Sequence, residues 1–164
     1  MEKDKSYLVN GVMLSFALIY IALLLALGVT LIMIGRLGSA LIFIILALPF
    51  FIVVHRYGSV VSIGKDGIKL SFLHHVYRHF TWEEIEEIDV AGVKVLNRLN
   101  PNKCGTIYFI FSKEALDDEK RFDMMLKWPP KDKIYLKFNK DKLMDLQWFY
   151  SKPVERYNIG MLDI

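Results

Sequence analysis

Between Val12 and Val54 the chain carries a single formal charge, Arg36. A segment this long and this apolar must be solvated by lipid or wholly covered by protein. Val12 to Ile34 reads VMLSFALIYIALLLALGVTLIMI, 23 residues without a charge, where a spanning helix needs roughly 20. Ser15, Tyr20, Gly28 and Thr30 are its only weak interruptions. A secretory signal would have a shorter apolar stretch, on the order of 7–15 residues, and a small-residue cleavage site. Gly35-Arg36-Leu37-Gly38 sets a charge between two glycines, a tight turn. The second apolar run, Leu37 to Val54, holds Pro49. Membrane helices tolerate such a proline because neighbouring groups satisfy the freed carbonyl. Two runs joined so tightly fit an antiparallel hairpin, with spans at 12–34 and 37–54 inside an anchor segment 1–56, better than the alternative of one spanning helix and one buried or re-entrant helix.

Water solvates the remainder. From His55 onward Lys and Arg number 18 and Asp and Glu number 16. Residues 57–164 are therefore expected to form a separate soluble domain, long enough for a core of its own. Its charges are mixed along the chain. The basic stripe of a nucleic-acid binder is missing, so no nucleic-acid partner is expected. One cysteine, Cys104, excludes an intramolecular disulfide and favours the reducing, cytosolic side. Lys3, Lys5, Arg56, Lys65 and Lys69 flank the outer ends of the spans, against Arg36 alone in the turn. This bias places both termini and the domain in the cytoplasm, at the plasma membrane. Ala17, Ala22, Ala26 and Gly28 in the first span, with Gly38, Ser39, Ala40 and Ala47 in the second, suit close packing within the hairpin. Neither span contains an ionisable group that would mark an ion path.

The domain has a strand-rich pattern. Ser59 to Ile63 is a β-branched run, and Lys65-Asp66-Gly67 is a turn signal. Ile68, Leu70 and Phe72 then alternate with Lys69, Ser71 and Leu73 as a half-buried strand. Val76 to Thr81 continues as a third, with Tyr77, His79 and Thr81 on one face. Trp82-Glu83-Glu84-Ile85 opens with a turn of helix and leads into a strand through Ile88, Val90, Val93 and Val95. Trp82 and Ile85 are expected in the core. Asn97 to Gly105 reads as a loop. Thr106 to Phe111, TIYFIF, is the clearest strand, and Lys133 to Phe138 is another. Asn139 is a good N-cap with Asp141 in the first turn, and Leu143, Leu146, Gln147 and Tyr150 make the stripe of a terminal helix that Pro153 limits. Several antiparallel strands covered by one helix make a small, partly open barrel or sandwich.

This order of elements resembles the bacterial PH-like membrane proteins, in particular the small YcxB-like group. The resemblance is carried by the hairpin, the glycine-turned strand pair, Trp82-Glu83-Glu84-Ile85, the segment Ile107 to Leu116 (IYFIFSKEAL) and the terminal helix. In that group a two-helix anchor precedes a pleckstrin-homology-like domain. The resemblance implies a membrane-anchored α+β protein with a PH-like, mainly antiparallel barrel or sandwich and a C-terminal helix. It implies no established activity.

Chemistry-bearing residues point to no reaction. His75 and His79 would share a face of a strand roughly 13 Å apart, at about 3.3 Å per residue, too far for one ion, and His74 does not help. Glu83, Glu84, Glu86 and Glu87 read as a solvated acidic face that could also dock a basic partner. Lys65 and Lys69 occupy the hairpin where PH domains bind inositol phosphates, but Asp66 intervenes and Ser71 stands where another base would help. P-loop, dinucleotide, nucleophile-elbow and HExxH motifs are absent. No cofactor, metal or catalytic residue is assigned, and the chain is not expected to be an enzyme. The candidate interaction surface is apolar: Phe122, Met124, Met125 and Trp128 between Leu116 and Pro129, where packing against the barrel is the favoured reading and contact with lipid or a partner the alternative, and Trp148 and Phe149 beside the stripe of the terminal helix. Structural packing of Trp148 and Phe149 against a wide buried face is the favoured reading of that pair. The sequence thus leads to a membrane-anchored binding or regulatory module, whose partners are the bilayer and a protein or a second copy of the chain. The alternative is a non-catalytic accessory subunit of a larger membrane enzyme or transporter.

Overall fold

The computed structural model describes residues 4–94 and 104–157, apart from the side chains of Val93, Lys94, Cys104, Met125, Arg156 and Tyr157. Most of the expected loop from Asn97 to Gly105, together with Val95 and Lys3, lies outside the described residues. The chain divides into two compact units, Leu8–Ser59 and the combination of Met1–Tyr7 with Val60–Ile164.

The first unit is a helical hairpin, α1 (Gly11–Met33) and α2 (Leu37–Tyr57). At 1.5 Å per residue the helices are about 34 and 31 Å long, enough to cross a hydrocarbon core of about 30 Å. Asn10 caps α1, its side chain accepting from the Met13 amide at 3.2 Å. Ala17, Gly28, Ala40 and Ala47 are the small residues that meet between the helices. A Cβ added at Gly28 would lie 3.4 Å from the Ile44 side chain and 3.6 Å from the Ala40 carbonyl oxygen. Ala22, Ala26, Gly38 and Ser39 face outward instead. Tyr20 stacks on Phe50 with ring centroids 5.4 Å apart. The second helix runs three residues beyond the expected Val54, because His55 and Arg56 in its last turn suit the helix C-terminus.

The second unit contains two four-stranded sheets. The first has the order β1 (Lys5–Leu8), β2 (Val60–Gly64), β3 (Gly67–Phe72) and β4 (His75–Phe80). The strand β1 lies in the segment assigned wholly to the anchor from sequence. It is held to the β unit by side chains: Ser6 and Ser62 hydroxyls are 2.8 Å apart, and the Tyr7 hydroxyl donates to Asp145. Burial, followed by that carboxylate, pushes the Tyr7 phenol up to about 12. Gly67 ends the β2–β3 turn at φ +122, and a Cβ there would fall 2.0 Å from the Phe80 carbonyl oxygen. No other residue type fits that backbone.

The second sheet has the order β7 (Ile134–Lys137), β6 (Cys104–Ser112), β5 (Glu87–Lys94) and β8 (Glu155–Tyr157). All its pairings are antiparallel except that of β8 with β5. Side chains alternate between faces along a strand. One face of this sheet carries Ile88, Val90, Phe109, Phe111, Ile134 and Leu136, all buried. The other carries Asp89, Ala91, Tyr108, Ile110 and Tyr135, which are also buried. Covering both faces explains why TIYFIF is continuously apolar instead of alternating. Helix α3 (Asp118–Leu126) lies over the second face, and α4 (Lys140–Phe149) approaches β2.

Trp82 joins these parts. Thr81 and Glu84 form a reciprocal box, Glu84 accepting from the Thr81 amide at 2.9 Å and the Thr81 hydroxyl accepting from the Glu84 amide at 3.3 Å. The turn it stabilises presents the half-buried Trp82, whose indole N–H donates to the Gly64 carbonyl at 2.9 Å. The indole stacks on Phe149 at 6.3 Å and meets Tyr150 at 5.8 Å. Ile85 is fully buried. Along α4, Leu146 and Tyr150 point inward with Leu143 half-buried, as the stripe predicts, but Gln147 is exposed. Phe149 packs, whereas Trp148 is 72% exposed. Trp82→Ala is expected to cost about 3 kcal/mol, whereas Trp148→Ala should stay within about 0.5 kcal/mol. Unfolding of the full-length chain in mild detergent, followed by circular dichroism, measures both.

Candidate functional site

Helix α3 and the segment 129–133 border an open groove of about 620 Å³. Local chemistry builds both walls. Asp117 is the N-cap of α3, accepting from the Lys120 amide at 2.8 Å, and Asp118 and Glu119 add negative charge where the helix dipole favours it. Pro129 and Pro130 end the helical region. Leu116, Met124 and the two prolines supply apolar lining, and the rim mixes Lys120, Lys127 and Lys131 with Asp117, Glu119 and Asp123. At one end Lys133 is buried, its ammonium 2.9 Å from both Glu114 and Asp132. Burial opposes the charge of Lys133, but these two carboxylates outweigh it and raise its pKa.

Beneath α3 lies an ionic cluster. Arg121 donates through Nε to Asp89 at 3.2 Å, and through a terminal nitrogen to Glu87. Glu87 also accepts from the Leu116 amide at 2.8 Å. Asp89 is completely buried, and its Oδ1 has no hydrogen-bond partner among the described residues. Burial, followed by Glu87, pushes Asp89 up to about 7 against the opposing pull of Arg121. Burial raises Glu87 as well, but its hydrogen bonds to Asp89, the Leu116 amide and Arg121 leave it below the usual carboxylate range. The guanidinium, though burial works against its charge, is held protonated by both acids. The cluster fixes α3 over β5, and so fixes one wall of the groove. Glu87 and Arg121 also line a smaller cleft of about 290 Å³ with Glu86, Tyr150 and Lys152.

The structure separates the apolar residues singled out from the sequence. Met124 belongs to a buried cluster with Ala91, Ile110 and Leu116, against which Trp128 packs. Trp128 lies 4.7 Å from the Tyr108 ring and 5.1 Å from Tyr135. Phe149 stacks on Trp82. Phe122 and Trp148 are exposed, and the Met125 side chain lies outside the described residues. Trp148 shares a face of α4 with Met144, which is 69% exposed. Of the pair, Phe149 is half-buried against the Trp82 indole, whereas Trp148 is exposed.

Within the acidic group, Glu83 and Glu86 are exposed. Glu84 is drawn to about 2 by Lys113, whose ammonium lies 2.7 Å away, and next by the Thr81 amide. Lys69 is 3.8 Å from Asp66. His79 Nε2 lies 3.3 Å from the Asp66 carbonyl oxygen. Among the described residues no group of three or more His, Cys, Asp or Glu is arranged to hold a metal ion. Sequence reasoning missed Arg121 and Asp89. An aspartate between the apolar residues Ile88 and Val90 in a strand was the available signal.

No protein-family model, characterised protein or solved structure matches the chain.

Removing Arg121 leaves the buried Asp89 and the half-buried Glu87 uncompensated, so Arg121→Leu should destabilise the β unit, by up to about 3 kcal/mol. Asp89 gives a pH signature. Its folded pKa of about 7 lies above the ordinary 3.8, so the native state holds a proton that the unfolded chain has shed between these values. This contribution therefore strengthens the fold as pH falls from about 7 towards 4. Asp89→Asn is expected to remove that slope. Chemical denaturation across this range checks it, provided the comparison stays above the pH where Glu87 protonates.

Proposed function

We propose that this chain is an integral membrane protein of the plasma membrane. In this reading α1 and α2 span the bilayer, and the β unit is a cytoplasmic binding or regulatory module. The outward faces of both helices support the first part. Phe16, Ile19, Leu23, Leu27, Ile45 and Ile52 are among many large apolar side chains exposed there. A water-soluble protein rarely exposes a contiguous apolar patch beyond a few hundred Å². Lipid is the solvent that removes the penalty. The excess of lysine and arginine at the outer ends of the helices supports the cytoplasmic orientation. Two mainly antiparallel sheets and the helix α4 support a PH-like reading of the β unit, akin to the YcxB-like group.

The groove beside α3 carries the functional reading. It is open, apolar in part of its lining and ringed by charges of both signs, with one wall fixed by the ion pairs of Arg121 to Glu87 and the buried Asp89. Such a site suits an extended protein segment that brings one apolar side chain and flanking charges of either sign. Nothing in its residue set supplies a nucleophile with an adjacent base. Binding is therefore the activity proposed, with regulation following from what is bound.

Site-specific photocrosslinking in intact membranes tests the proposal. Crosslinkers at Lys127 and Lys131 should capture one protein species, and the reversal Lys120→Glu with Lys131→Glu should abolish capture from Lys127. Capture unaffected by that reversal, or none at either position, would overturn the groove as the site. A stoichiometric adduct formed only from outward hairpin positions such as Ile45 would favour the accessory-subunit reading. A periplasm-dependent reporter fused after Ile164 should be inactive, and activity would reverse the orientation.

A further inference from the structure

We propose that the β3–β4 turn is a second membrane contact of this protein, with Leu73 inserting into the headgroup–acyl boundary of the bilayer that holds the hairpin. The inference deepens the anchor reading and rests on it.

Three observations converge. First, Leu73 and His74 form the two-residue turn between β3 and β4 at φ +48 and +68. Paired positive φ values are the domain of Asn-Gly and similar sequences, and a branched, bulky residue is disfavoured there. A leucine held in this strained position is nonetheless 81% exposed. It gains no burial within the domain that would compensate for either cost. Val76 and Tyr77, just beyond the turn, are 47% and 41% exposed.

Second, the two strands that meet at the turn carry no acidic residue of their own. From Gly67 through Trp82 the sequence contains no acidic residue, while it holds Lys69, Arg78 and three histidines. His74 and His75 are exposed beside Leu73. Arg78 is occupied, donating to the carbonyl oxygens of Lys131 and Lys133. A turn whose own strands carry no carboxylate is compatible with an anionic lipid surface, which would repel acidic residues.

Third, the sheet connectivity places the turn at a defined end. The register sets Val60 opposite Ser71, and Val60 follows the last residue of α2 by three positions. Chain direction puts the end of β1, the start of β2 and the β3–β4 turn at the same end of the sheet. Leu73 lies two residues past Ser71, about 7 Å further along the strand direction. The β3–β4 turn therefore lies at the end of the sheet where β2 begins. The β2–β3 turn, with Lys65 and Asp66, occupies the other end.

The test uses the full-length chain carrying Cys104→Ser, reconstituted in nanodiscs of phosphatidylcholine and phosphatidylglycerol. An environment-sensitive fluorophore is attached through Leu73→Cys, Lys65→Cys or Ile45→Cys, and lipids carrying a spin label just below the headgroup or deep in the acyl chain act as quenchers. Expected are blue-shifted emission and strong shallow-label quenching at position 73, deep-label quenching at 45, and neither at 65. Quenching at 45 without quenching at 73 would overturn this inference and leave the anchor standing. Absence of lipid quenching at 45 would overturn the anchor reading and this one with it. A blue shift at 73 without lipid quenching would mean a protein covers the turn, which also overturns the inference. In a second variant, Leu73→Asn suits the left-handed backbone and should unfold at the same or a higher temperature. A probe attached through Val76→Cys should nevertheless lose its shallow quenching in that background. Retained quenching would show that Leu73 is not the inserted side chain.

Discussion

The architecture depends on how the first sheet is closed. Its strands β1 and β2 are neighbours, about 4.8 Å apart, yet the whole apolar hairpin lies between them in sequence. A segment inserted between adjacent strands has to begin and end at nearly one point. Two antiparallel helices meet that requirement, and a single helix of this length would not. The ladder is drawn shut where the hairpin begins and ends: the Val9 amide donates to the Ser59 carbonyl at 2.9 Å, and the Asn10 amide to the Tyr57 carbonyl at 3.2 Å. In a bilayer the same constraint would bring both connections back to one side. It agrees with the distribution of lysine and arginine, although the two arguments share no premise.

The second sheet follows a different logic. Its strands β5 and β6 are apolar on both faces, so each face needs a cover. One cover, α3, is polar enough on its outer side to carry the groove, and it is fixed by Arg121 reaching down to Glu87 and Asp89. Replacing such a cluster by apolar residues of similar volume often leaves stability unchanged or higher. Its value here is positional: charge pairing sets the register of α3 along β5, which apolar contact with Ala91 and Ile110 alone would leave loosely defined. The cost is the buried Asp89, which is why that carboxyl responds to pH close to neutrality.

Much of this was legible in the residues. The charge-free runs predict the hairpin helices, TIYFIF predicts β6, and Asn139 predicts the start of α4. These signals are local, and the structure obeys them. What was hidden depended on distant partners. The strand β1 has four residues with only Tyr7 half-buried, and its neighbour β2 comes more than fifty residues later. The three residues of β8 are defined solely by lying parallel to β5. The groove was hidden for the same reason: Met124 and Trp128 could be read as exposed until Tyr108 and Ile110 were known to lie beneath them. Periodicity assigned α4 its inward stripe, but could not separate Phe149 from Trp148, because that distinction is made by the position of Trp82.

The hairpin inserted after β1 has a consequence for how the chain assembles. During synthesis β1 precedes its neighbour β2 by the whole of both apolar helices. Loop closure across that distance is an entropic cost, but a paired hairpin removes most of it by holding its two ends together. The helices thus act as a folding clamp for a sheet to which they contribute no strand. The close approach at Gly28, Ala40 and Ala47 is what keeps those two ends together.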